Sequence, residues 1–310
     1  MESSKNNSTS HVKGTKKTIL IQTKRKEQYD NFFLSGFSDN RTEPFIKLKE
    51  RIEGLGYILE NANFQAFKDI TQLVVFDSHI YSGRNPFRII AHKKNLVWIA
   101  DLKKSGLKPI LILWEGPSNK SFRKEDHIGY DTILTWNDAW VDNIRYFKYY
   151  LPTPNQWGNI VEKPFHEKKL LVNISYNKTS KHPQELYSER VNTIEYFDEH
   201  YSKEFDLFGF GWNIKSSIIN NIKNRIKPQF AQTSFKTYRG PIENKWDIFP
   251  SYKFGLCYEN IRSEQGYVTE KIFDCMRSNC VTIYWGAPNI DEYVDSNAFI
   301  DRKQFRSNEE

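Results

Sequence analysis

The stretch 252–288, which reads YKFGLCYENIRSEQGYVTEKIFDCMRSNCVTIYWGAP, constrains the fold more than any other part of the chain. Residues 253–258 are apolar and aromatic and predict a short buried strand. Thr269 predicts the N-cap of a helix in which apolar residues recur at helical spacing. Residues 281–285 predict the next strand, which Gly286-Ala287-Pro288 ends. A strand, helix and strand in so short a segment indicate a βαβ unit with parallel strands.

The same alternation runs through the N-terminal half. A helix with one apolar face is predicted over 45–55, and another ends near Gly106. Strands that alternate with helices favour parallel sheets and the α/β class. We therefore expect a Rossmann-like domain, although no G-x-G-x-x-G motif is present. Its predicted strands are 17–22, 56–59, 73–77, 108–114 and 130–136.

A stretch rich in proline and glycine, 146–168, separates this half from a second alternating series. In that series strands are predicted at 169–175 and 205–210, with a helix over 185–197 between them. Such a stretch is typical of a domain boundary. We predict an N-terminal domain over 17–150, a linker over 151–168 and a C-terminal domain over 169–310.

The net charge of +7 is concentrated at the N-terminus, because residues 1–26 hold seven basic side chains and one acidic one. The remainder is nearly neutral, which argues against a nucleic-acid groove across the fold and leaves such binding as a weaker alternative. Residues 1–16 are poor in apolar side chains and predict a disordered basic tail. A solvated tail is the simplest interpretation, and peripheral contact with an anionic membrane surface is the alternative.

Cysteine usage and the N-terminus bear on the compartment. Cys257, Cys275 and Cys280 lie in apolar surroundings, and their odd number and spacing predict core thiols in place of disulfides or a zinc site. The first 17 residues contain no apolar segment of the kind that targets export. We therefore expect a cytoplasmic protein, with the inner membrane face as a peripheral location.

Candidate site residues surround the start of the helix that Thr269 caps. Asn260 follows the strand before it, and Tyr267, Glu270 and Lys271 flank the cap. A helix N-terminus presents unpaired N–H groups and a positive dipole end, which favour an anion such as a nucleotide diphosphate. An ordinary capped helix start is the alternative.

These residues also carry a family resemblance. The order C-Y-E-N, G-Y-V-T-E-K-I-F-D, V-T-I-Y-W-G-A-P and A-F-I-D resembles the donor-site signature of the glycosyltransferase family 10 fucosyltransferases. The resemblance implies a GT-B fold, in which two Rossmann-like domains face each other across a cleft. It also implies transfer of fucose with inversion from GDP-β-L-fucose to a glycan or a lipid-linked oligosaccharide, forming an α-1,3 or α-1,4 linkage. Another GDP-sugar is the alternative donor.

The resemblance assigns roles to individual residues. Glu115, in W-E-G-P, is similar to the family's general base, with Gly116 where Ser is often found. Arg190 is similar to the arginine that pairs with the donor diphosphate. Without the resemblance, Glu115 is a loop cap and Arg190 a surface ion-pair partner of Glu185 or Glu189.

The remaining donor contacts are assigned in the same way. Lys271 joins Arg190 at the diphosphate, while Asn260, Tyr267 and Glu270 are left for ribose, guanine or fucose. The loop between Asn260 and Tyr267 looks about one residue longer than in the family. No D-x-D motif follows a strand, so we expect no metal or other cofactor. Family members continue beyond the A-F-I-D strand, which leaves open whether a closing element is missing.

Overall fold

The structure, a computed structural model, describes residues 17–22, 33, 42–61, 70–76, 86–118, 123–154, 163–212 and 235–310. Two parallel sheets of six strands each organise these residues. The fold is therefore α/β with two domains, as predicted. The predicted basic tail, residues 1–16, lies outside the described residues.

The first sheet belongs to the N-terminal domain. Its strands lie in the order β2-β1-β3-β4-β5-β6. Leu20, Leu73 and Leu111 are fully buried on the side where Ile99 and Leu102 of the second helix pack. The elements are β1 (Thr18–Gln22), α1 (Glu43–Gly54), β2 (Ile58–Asn61), β3 (Ile70–Phe76), α2 (Pro86–Lys104), β4 (Ile110–Ile112), β5 (Thr132–Thr135) and β6 (Tyr146–Lys148).

The second sheet has the order β12-β11-β10-β7-β8-β9, so β10 and β7 lie at its centre. The carboxyl ends of these two strands carry the loops in which function is expected, as in other open α/β sheets. The elements are β7 (Lys169–Ile174), α3 (Tyr187–His200), β8 (Phe205–Phe208), β9 (Tyr238–Gly240), β10 (Tyr252–Tyr258), α4 (Glu270–Arg277), β11 (Val281–Trp285) and β12 (Phe299–Asp301).

The last strand of the first sheet was not predicted. Its three residues begin the stretch 146–168, which the proline and glycine pattern assigns to a domain boundary. Tyr146 is 4% exposed and pairs with Ile133, so the sheet continues into this stretch. A three-residue strand is too short to show periodicity, and burial against β5 decides its structure. None of the described helices combines the length and apolar character that a membrane span requires.

The loop 261–267 of the second domain docks on the first. Ile261 and Tyr267 are buried in the core cluster of the N-terminal domain, and the Tyr267 ring lies 4.9 Å from that of Trp136. Gly266 has a φ of 80°, and a Cβ there would lie 2.3 Å from the Trp136 carbonyl oxygen. A larger residue is therefore excluded at this contact.

A polar cluster around Asp138 extends the same interface. The Asp138 carboxylate accepts hydrogen bonds from the Tyr293 hydroxyl at 2.6 and 2.7 Å and from Asn289 Nδ2 at 2.9 Å. Lys148 Nζ lies 2.5 Å from Asp138 Oδ1. Burial alone would raise the pKa of Asp138, but the hydrogen bonds from Lys148, Tyr293 and Asn289 outweigh it and lower that pKa. The ionised carboxylate therefore stabilises the domain interface.

We expect Asp138→Asn to lower the free energy of unfolding by about 1–3 kcal/mol, because an amide cannot accept all of these bonds. The native pKa of Asp138 is lowered, so its stabilising effect is present above the unfolded pKa and is lost as pH falls through the native value. Urea unfolding from neutral to acid pH measures both effects. The control is Asp131→Asn, whose pair with Lys103 is exposed and should contribute less than about 1 kcal/mol. Equal losses of unfolding free energy in the two variants would contradict this account. So would a stability difference between Asp138→Asn and wild type that does not narrow at acid pH.

Candidate functional site

A buried carboxylate organises the site. Glu259, directly after β10, is 0% exposed. Its side chain accepts hydrogen bonds from Thr269 N at 2.8 Å, Thr269 Oγ1 at 2.9 Å and Lys271 Nζ at 3.1 Å. A buried charge is tolerated only when it is paired and hydrogen-bonded, and these contacts meet that requirement. Glu259 therefore holds the start of α4 against the end of β10.

Thr269 is the N-cap of α4, as predicted, and its hydroxyl accepts a hydrogen bond from Lys271 N at 3.4 Å. The backbone N–H of Thr269 is bound to Glu259. Two amides of the helix start, which the sequence analysis assigned to an anion, are thus already engaged within the protein. Binding of an anion at this helix start therefore depends mainly on cationic side chains.

Arg190 is one of these cations. It lies in α3, is 4% exposed, and donates from Nη2 to the carbonyl oxygens of Tyr258 at 2.7 Å and Glu259 at 3.3 Å. The alternative interpretation of Arg190, a surface ion pair with Glu185 or Glu189, is therefore wrong. Glu185 instead accepts from the backbone of Tyr187 at 2.6 Å, at the start of α3. The end of β10 thus positions Arg190 as well as Lys271.

A cavity of about 330 Å³ opens at the carboxyl end of β7 and β10. Four of the predicted donor residues line it: Arg190, Asn260, Glu270 and Lys271. Burial would lower the pKa of Lys271, but Glu259 and Glu270 raise it above its ordinary value. Burial would raise the pKa of Glu270, but Lys271 and Lys245 lower it. The cavity therefore combines fixed cations with the ionised carboxylate of Glu270, which suits a phosphate ester bearing hydroxyl groups.

Tyr267 lies elsewhere. It is 4% exposed, packs between Trp136 and Gly116, and lies outside the residues that line the cavity. A Cβ added at Gly116 would lie 2.6 Å from Tyr267 Cζ. The glycine at this position, which departs from the serine often seen in the resembling family, thus allows the tyrosine ring to reach the loop after β4.

Glu115 lies in that loop, half-buried at the side of the cleft formed by the first domain. Its charge acts on three groups: Lys178, Tyr187 and Tyr267. Tyr187 and Lys178 also line the cavity. The structure thus brings Glu115 to the same cleft as the cavity-lining donor residues.

Sequence reasoning missed several residues of the site. Glu259 stands next to the predicted Asn260, and its position at a strand end was the available signal. Lys178 was not among the predicted site residues. Lys245 and Asp274 also line the cavity, with Lys245 Nζ 2.6 Å from Asp274 Oδ2. Asp274 is 1% exposed, so the pair connects α4 to the segment before β10.

The described residues contain no group of three or more His, Cys, Asp or Glu side chains that could hold a metal ion. The three cysteines are buried and unpaired by disulfides. They lie in one core cluster with Phe249 and Tyr252.

Two parallel α/β domains facing across a cleft define the GT-B architecture of glycosyltransferases. A solved α-1,3-fucosyltransferase with GDP-fucose superposes with a TM-score of 0.52 at 14% identity, covering 95% of this chain and 75% of that one. At this identity the likeness shows the fold alone. The predicted GT-B class is confirmed.

Sequence comparisons concern the second domain. Residues 210–310 match the model of glycosyltransferase family 10 (fucosyltransferase) C-term. An α-(1,3)-fucosyltransferase of Helicobacter pylori is 35% identical over 88 residues, which is 28% of this chain and 18% of that protein. An α-(1,4)-fucosyltransferase of Arabidopsis thaliana is 44% identical over 59 residues, 19% of this chain and 14% of that protein. The predicted resemblance is confirmed over this segment: residues 210–310 are similar to the C-terminal domain of glycosyltransferase family 10.

The contact between Gly116 and Tyr267 can be tested by mutation. Gly116→Ala should lower the free energy of unfolding by about 1–3 kcal/mol, because the new methyl group collides with the ring. In a Tyr267→Leu background the same substitution should cost less. The control is Gly54→Ala in α1, where a Cβ meets nothing within 4 Å and should be neutral or stabilising. Urea denaturation of the four proteins measures the coupling, and equal costs in both backgrounds would disprove the contact.

The substitution Glu259→Gln tests whether the buried carboxylate organises the site. Removing the buried charge should lower the free energy of unfolding by about 2–3 kcal/mol and loosen Lys271. The native pKa of Lys271 is raised, so the stabilisation is present below its unfolded pKa and is lost as pH rises through the native value. The difference between variant and wild type should therefore shrink in alkali. Glu189→Gln is the control, since its pair with Arg262 at 3.5 Å is partly exposed. A loss no larger than the control's would show that Glu259 does not organise the site.

Proposed function

We propose that this protein is an inverting fucosyltransferase that moves L-fucose from GDP-β-L-fucose to a hydroxyl group of a glycan. The observation that carries the proposal is the placement of Arg190 and Lys271. Both are held by the end of β10 and both line one cavity. The matches to fucosyltransferases in the second domain support this donor. The matched stretches span less than a fifth of these relatives, so activity and substrates belong to the proposal.

In the proposed reaction Glu115 is the general base. Its carboxylate takes the proton of the acceptor hydroxyl as that oxygen bonds to the fucose anomeric carbon. The bond between this carbon and the diphosphate oxygen breaks on the opposite face, which inverts the configuration to α. GDP leaves with one additional negative charge.

Stabilisation of that charge accelerates the reaction, since it develops in the transition state. Arg190 and Lys271 are assigned to the diphosphate. Glu270 and Asn260 are assigned to hydroxyl or base groups of the donor. Tyr267 is assigned to positioning, because it supports the Glu115 loop from the domain interface. No metal or cofactor takes part in the proposed reaction.

The acceptor is a hydroxyl of a glycan or lipid-linked oligosaccharide, with an α-1,3 or α-1,4 product. The basic N-terminal tail would allow peripheral contact with an anionic membrane, which suits a lipid-linked acceptor. A cytoplasmic location is part of the same proposal.

The test measures GDP release with EDTA present, from GDP-fucose and GDP-mannose separately, with N-acetyllactosamine as acceptor. We expect release from GDP-fucose, and a fall of about 10²- to 10⁴-fold for Glu115→Gln. Glu125→Gln, at an exposed position of the same domain, should match wild type. Release of GDP from GDP-mannose alone would show that the donor is GDP-mannose and not GDP-fucose. Undiminished release by Glu115→Gln would exclude it as base, and failure of the folded protein to bind GDP would contradict the donor site.

A further inference from the structure

Lys178 lies at the donor cavity, in the loop that follows β7. It lines the cavity together with Arg190 and Lys271. Its ammonium group lies 5.3 Å from the ring centroid of Tyr176, which is itself 52% exposed. Apart from Lys245, which is paired with Asp274, the site therefore has a third cation.

The charges around Lys178 come from both domains. Burial is the largest influence and lowers the pKa of Lys178. The Glu115 carboxylate opposes this effect, whereas Lys271 and Arg190 add to it. Lys178 is thus within electrostatic reach of the proposed base on one side and of the two diphosphate cations on the other. The repulsion among three cations favours a polyanion in the cavity.

Hydrogen bonds hold the Lys178 loop in this place. On the second domain, Asn177 donates from N to Phe210 O at 2.9 Å and from Nδ2 to Gly211 O at 2.9 Å. Across the cleft, Ser180 Oγ donates to Ser118 O at 2.8 Å, three residues after Glu115. The loops carrying Lys178 and Glu115 are therefore tied directly to each other.

We propose that Lys178 bridges the base and the leaving group electrostatically. This inference rests on the proposed fucosyl transfer. In that reaction one unit of negative charge disappears from Glu115 as it takes the acceptor proton, and one unit appears on GDP as the glycosidic oxygen leaves. A cation between them therefore faces the charged Glu115 carboxylate before the reaction and the additional charge of GDP after it. Lys178 transfers no proton and forms no bond.

The test compares Lys178→Met, Lys178→Arg and wild type in steady-state fucosyl transfer at one pH. Lys178→Met should lower kcat by about 10- to 100-fold, because a charge that stabilises the transition state is removed. Its KM for GDP-fucose should stay close to the wild-type value, because the lost stabilisation belongs to the transition state. Lys178→Arg should keep most of the wild-type kcat, because the positive charge remains.

Lys236→Met is the control, because Lys236 is exposed in the same domain and its loss changes net charge equally. It should match wild type in kcat and in KM. If Lys178→Met raises only the KM for GDP-fucose, or behaves as the control, the inference is overturned while the proposed function stands. Absence of transfer by wild type overturns the proposed function and this inference with it.

Discussion

The buried carboxylate of Glu259 is the interaction on which the rest of the site depends. A charge without solvent contact must be fully paired, so the Thr269 amide, the Thr269 hydroxyl and the Lys271 ammonium group are drawn to it. Gly286 provides the space, since a Cβ there would lie 2.5 Å from Glu259 Cγ. Because the adjacent carbonyl groups receive Arg190, one strand end fixes both cations assigned to the diphosphate.

The interface between the domains extends this order to the first domain. Tyr267 packs on Gly116 and Trp136, so the loop bearing Glu115 rests on a residue of the donor domain. The hydrogen bond from Ser180 to Ser118 joins the two sides a second time. Packed and hydrogen-bonded groups thus fix the position of Glu115 relative to the donor cavity. A change at this interface should alter the proposed chemistry without touching a substrate.

Much of this arrangement could be predicted from the sequence, because periodic patterns report on regular elements. The strand at 253–258, the Thr269 cap and the strand at 281–285 follow from residue spacing, and the structure contains all three. The burial of Glu259 could not be predicted, since a glutamate beside Asn260 at a strand end has no pattern that distinguishes it from a solvated one. Tyr267 is placed by its packing against Trp136 and Gly116 of the other domain, which no local spacing encodes.

The most direct test of the account is amide hydrogen exchange with and without GDP. Binding in the cavity should slow exchange in the loop 175–186, which carries Lys178, and around Asn260, with little change in the first sheet beyond the Glu115 loop. GDP that binds without protecting either segment would place the nucleotide elsewhere and contradict the assignment of Arg190 and Lys271 to the diphosphate.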